Sequence, residues 1–89
     1  MLFLPGQIVA TPGALRTLEE KKVDARMLLG RHQSGDWGTV PSEDRRANDW
    51  SVRNGGRILS SYPLDEDQRV WIITEADRSV TTILLPEEY

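Results

Sequence analysis

The chain contains no cysteine in 89 residues, which excludes a disulfide framework and any thiolate metal site and fits a reducing, cytoplasmic compartment. Histidine is almost as scarce, with one copy, so a multi-histidine zinc centre cannot form. The sequence has no GxxxxGK[ST] loop, no GxGxxG after a strand and no HExxH pair, and nucleotide hydrolysis and zinc catalysis therefore have no support. No cofactor and no metal are expected. A long hydrophobic run is missing too: Met1-Leu2-Phe3-Leu4 is broken by Pro5-Gly6 and preceded by no basic residue, so neither a signal peptide nor a membrane span is expected. Finally, there is no excess of positive charge. Eleven Lys and Arg stand against 14 Asp and Glu, for a net charge of -3, and without a basic field nucleic acid is disfavoured as a partner.

What is present describes one small α+β domain over residues 1–89. At this length one core is expected, with a stability of a few kcal/mol to which a partner would add, and a homodimer stays open. Residues 6–11, GQIVAT, are β-prone and stop at Thr11-Pro12-Gly13, where a Thr cap followed by Pro predicts a helix entry. Leu15 and Leu18 give that helix its apolar side. Asp24 predicts the cap of a second helix bearing Ala25, Leu28, Leu29 and His32 on one stripe, closed near Gly35. Ser42, with Glu43 and Asp44 in the first turn, predicts the start of a third helix, ended by Asn54-Gly55-Gly56 and anchored by Trp50.

After Gly56 the pattern turns to strands. Residues 57–62, 70–75 and 79–85 are rich in β-branched and aromatic side chains and are separated by turn-forming stretches, which predicts an antiparallel meander of three or four strands with the helices packed on it. Alternation in the middle strand sends Val70, Ile72 and Thr74 to one face and Trp71, Ile73 and Glu75 to the other. Both faces carry bulk, so helices are expected on one and chain ends or a partner on the other.

Five blocks stand out: GQIVATPGAL at residues 6–15, LLGRHQSGDWG at 28–38, Glu43-Asp44 with Asn48, GRILSSY at 56–62 and VWIITEADRSVTTILLPEEY at 70–89. Together they resemble a family of short "plasmid-related" proteins of bacterial plasmids and integrative elements. The resemblance spans nearly the whole chain and implies an accessory role on mobile elements, with no catalytic assignment to carry over. The order of helices followed by a hairpin-rich sheet also looks like the barnase, colicin and RelE-like nuclease architecture, a likeness of topology alone.

Three constellations could carry function. Arg31 or Arg78, His32 and Asp36 could act as phosphate ligand, general base and orienting carboxylate of a ribonuclease or toxin, with Ser61 or Thr82 assisting; His32 equally reads as a packed or capping residue at a helix end. Glu75, Asp77 and Arg78 sit at a hairpin tip, where they could hold a cation, a basic side chain or an anion, or simply build the turn. Among the aromatics, Trp71 reads as core, whereas Trp37 between two glycines is the one expected to be most exposed and to anchor a partner. The favoured reading is a non-enzymatic protein-binding module, a regulator or inhibitor, using Trp37, Asp36, Arg31, Glu75, Asp77 and Arg78. Pro86 should end the last strand by Leu85, leaving Glu87 and Glu88 exposed; Tyr89 could fold back over the sheet onto Ile83 or Leu85 or stay free as an interface anchor, and the free tail is favoured because chain ends are usually loose.

Overall fold

Residues Gln7–Ala10 form strand β1, and Thr11 ends it by starting a helix: its Oγ1 accepts the Ala14 N–H at 3.1 Å, with Pro12 at the first helical position. The computed structural model describes residues 1–89. Helix α1 spans Pro12–Glu20 and buries Ala14 and Leu18, while Leu15 faces outward. Asp24 caps α2, Ala25–Gln33, by accepting the Arg26 N–H at 2.9 Å, and Leu28, Leu29 and His32 form its buried stripe. Helix α3, Ser42–Asn54, starts one residue early. Pro41 takes the cap position without a side-chain bond, so Ser42 is inside the helix and Glu43 and Asp44 alone complement its positive end. Gly55, left-handed at φ 83°, closes it.

Strands β2 (Ile58–Pro63), β3 (Arg69–Thr74) and β4 (Val80–Leu84) pair antiparallel, the meander that short links require. β1 joins as a fourth strand, parallel to β4, and the order β1-β4-β3-β2 makes the sheet mixed rather than antiparallel throughout. Parallel pairing needs a long crossover, and here the whole stretch from α1 to β3 lies between the two strands.

Helices α1 and α2 cover one sheet face: Ala14, Leu18, Leu28 and Leu29 pack on Tyr62, Val70, Ile72 and Ile83. Each buried Leu, Val or Ile among them contributes about 1.5–3 kcal/mol. A second cluster, Phe3, Trp37, Val40 and Ile58, joins the N-terminal arm to α3 through the partly buried Val52. Trp37 is thus 2% exposed, against the exposure expected from its flanking glycines. Trp50, expected as the anchor of α3, is 57% exposed. Asn48 and Ser51 are the residues α3 buries.

β2 is an edge strand whose free side is masked. Ser61 donates its N–H to Trp37 O at 3.0 Å and accepts the Thr39 N–H at 2.8 Å, so residues 37–39 pair as one more strand turn. Two residues along, the Asn48 side chain accepts the Leu59 N–H at 3.1 Å and donates to Leu59 O at 2.7 Å, supplying the two bonds a neighbouring strand would make.

Candidate functional site

His32 lies under the sheet at the junction of the two clusters and is fully buried. Its Nδ1 is 2.6 Å from Ser60 Oγ and its Nε2 2.9 Å from Thr74 Oγ1, while Thr74 Oγ1 is 2.7 Å from Thr81 Oγ1, which donates to Pro5 O at 2.7 Å. The carbonyl can only accept, and that fixes every proton in the row. Thr81 gives its one proton to Pro5, so Thr74 donates to Thr81; Thr74 must then accept from Nε2–H, and Nδ1 accepts from Ser60. His32 is therefore a neutral Nε2–H imidazole. Burial, and after it the Arg78 guanidinium, pushes its pKa down to about 4. Phe3 and Trp37 close over the ring, with centroids at 5.2 and 5.9 Å.

Arg31 and Asp36 do not converge on that imidazole. They pair with each other at the surface, Nε to Oδ2 at 2.7 Å. Arg31 also stacks 4.6 Å from the centre of the Tyr62 ring, whose hydroxyl donates to Asp36 O at 2.6 Å; burial pushes that phenol up to about 12. Asp36 is held below its usual range by the Arg31 guanidinium. Ser61 and Thr82 point to the opposite sheet face from His32, as the strand register requires. The ribonuclease constellation is not assembled: both ring nitrogens of His32 are occupied and no substrate proton can reach them.

The hairpin tip is also divided. Asp77 accepts the Ser79 N–H at 2.9 Å and builds the turn. Arg78, left-handed at φ 60°, sends its guanidinium inward to Gly56 O at 2.7 Å, Ser51 O at 2.8 Å and Glu75 O at 3.1 Å. A cation at the carbonyl end of α3 complements the helix dipole, and Arg78 ties that end to the hairpin instead of waiting for an anion. Glu75 turns the other way, to Arg57 at 3.5 Å. No three His, Asp or Glu side chains come together as a metal-ligand set.

Glu75 and Arg57 belong to a cluster of interface-type side chains on the sheet. On the sheet face opposite α1 and α2, Leu59, Trp71, Ile73 and Thr82 lie side by side across β2, β3 and β4. Only the flank of α3 and the C-terminal turn Pro86–Glu88 border them. Tyr89 meets Trp71 edge-on at 5.7 Å, and Arg57 donates to Tyr89 Oη at 2.7 Å. The tail is thus folded back, not free. It is held further by Glu88, which accepts Thr11 Oγ1–H at 2.6 Å and Leu85 N–H at 2.8 Å. Beside this cluster runs a groove of about 200 Å³ lined by Asp44, Ala47, Asn48, Arg57 and Leu59. Arg57 and Leu59 escaped the candidate set drawn from sequence. The available signal was strand alternation, which puts Arg57 and Leu59 on the face of Trp71.

Compared with family models, with curated protein sequences and with solved structures, the chain gives no match. No helix is long and apolar enough to cross a membrane.

Proposed function

We propose that the protein is a non-enzymatic protein-binding module, a regulator or inhibitor of its partner, that docks through the helix-free sheet face. The observation that carries this reading is the Trp71–Tyr89–Arg57 cluster beside the groove at Leu59. Trp, Tyr and Arg are the side chains that dominate interface energies, each offering a large contact area together with a polar handle. A net charge of -3 favours a partner protein over a polyanion. Trp37, sealed in the core, leaves the anchor role to Trp71, and of the six binding residues named from sequence Glu75 is the one on this face. An accessory role on bacterial mobile elements, in the cytoplasm, rests on the sequence blocks RHQSGDWG and WIITEADRSVTTILLPEEY and on the absence of cysteine.

Affinity capture from a bacterial lysate, with Arg57→Glu and Trp71→Ala as paired controls, tests the face. Wild type should retain a partner that both variants lose, and Arg57→Glu, a surface change, should melt within a few degrees of wild type. Retention of the same partner by both variants, or no partner above background, would sink this reading.

A further inference from the structure

The two edges of the sheet are treated differently. β2 is masked by residues 37–39 and by the Asn48 amide, as described above, whereas the outer edge of β1 is bare. Gln7 N–H bonds to Ser79 O and Thr11 N–H to Ile83 O, both at 3.0 Å, so by the two-residue period of a strand Val9 also points its backbone inward to β4. Ile8 and Ala10 then turn their N–H and C=O groups outward. No backbone bond outside the β1–β4 ladder and no side-chain bond reaches either of them. The strand carries no charge, and Ile8 and Val9 are 47% and 38% exposed. A bare, uncharged, apolar edge is a template for another strand.

We infer that this edge is the interface with a second copy of the chain, paired antiparallel about a two-fold axis at Val9. In that register Ile8 stands opposite Ala10 of the second copy and Ala10 opposite its Ile8. Each is a hydrogen-bonded pair, so all four outward backbone groups of each copy are satisfied. Val9 faces its own counterpart in the close, non-hydrogen-bonded position, and Gln7 faces Thr11, so no charge meets a like charge. The result is an eight-stranded sheet, β2-β3-β4-β1 continued by its mirror order, whose outermost strands are the two masked β2 edges. Self-pairing therefore uses the only bare edge and closes. A two-fold normal to the sheet also leaves both Trp71 faces on the same side, joined across Val9 and Thr82. The inference does not depend on what that face binds.

The test is a charge exchange at the axis, read by sedimentation at high protein concentration and by amide exchange. Wild type should run as a dimer of twice the 10.1 kDa chain, with the Ile8 and Ala10 amides exchanging more slowly as concentration rises. Val9→Lys and Val9→Glu, which each set two like charges face to face, should be monomers, and mixing the two should restore the dimer. Restoration excludes simple misfolding of either variant. A wild type that stays monomeric with concentration-independent exchange at Ile8 and Ala10 overturns the inference. So does a dimer that both Val9 variants leave intact, and so does a pair of variants that mixing cannot rescue, since then Val9 does not face its own counterpart.

Discussion

His32 organises the interior as a neutral group. A row of hydroxyls running to one backbone carbonyl leaves it a single tautomer, and protonating Nδ1 would turn the Ser60 hydroxyl's acceptor into a second donor while placing a charge between Phe3 and Trp37. With its folded pKa near 4 against an ordinary 6.5, the unfolded chain binds the proton more readily throughout that interval. Stability from His32 is therefore complete above about pH 6.5 and is lost as pH falls toward 4, a total on the order of 3 kcal/mol. Because this is the only histidine, one imidazole resonance reports it. That signal should hold its neutral position from pH 8 to pH 5 and move near pH 4, and the unfolding free energy of His32→Gln should be nearly flat between pH 7 and 5 where wild type declines. A midpoint near 6.5 would mean that water reaches the ring. The sequence pointed to His32 as part of a packed helical stripe, through its spacing from Leu28 and Leu29. Its hydroxyl partners could not be read there, because Ser60, Thr74 and Thr81 join it only through the strand register.

Among the elements, the helix caps and the meander follow from local signals: Thr11-Pro12, Asp24 and Asn54-Gly55-Gly56 act within a few residues of where they stand. The parallel place of β1, the burial of Trp37 and the carbonyl contacts of Arg78 rest on contacts between distant parts of the chain, for which a single sequence carries no periodic signal. Trp37 shows why. Its glycines suggested an open turn, but Gly38 is needed for the opposite reason: at φ 73° it lets residues 37–39 press against the Ser61 backbone, and an added Cβ would collide with that carbonyl. Gly38→Ala should therefore cost about 2 kcal/mol or more, read as a fall in melting temperature of roughly 10 °C. Gly30 is the counter-case, mid-helix, exposed and with open space around an added Cβ, so Gly30→Ala should stabilise by about 0.5–1 kcal/mol. If Gly38→Ala leaves the melting temperature unchanged or raises it, the assignment of residues 37–39 as an edge mask fails.

For the whole molecule the question is how the helix-free face stays presentable in water. Ile73 and Leu84 are 2% and 6% exposed there although no helix crosses them, and the C-terminal turn lies against β3. Pro86 ends the ladder after Leu84, as expected, and the chain then turns once and lays Tyr89 against Trp71 and Arg57. Glu88 meanwhile ties the turn to Thr11 at the start of α1. The tail is held where the free alternative was favoured because Glu88 has a cap hydroxyl within reach and Trp71 offers Tyr89 an aromatic edge to pack on. Removing residues 87–89 should therefore lower the melting temperature by several degrees, since one aromatic pair contributes about 1 kcal/mol in a domain of this size. The same deletion should raise the fluorescence quenching of Trp71 by added iodide, and a Trp71→Phe control identifies which tryptophan responds. If melting and quenching are both unchanged, the tail lies free in solution and the face is held by its own side chains alone.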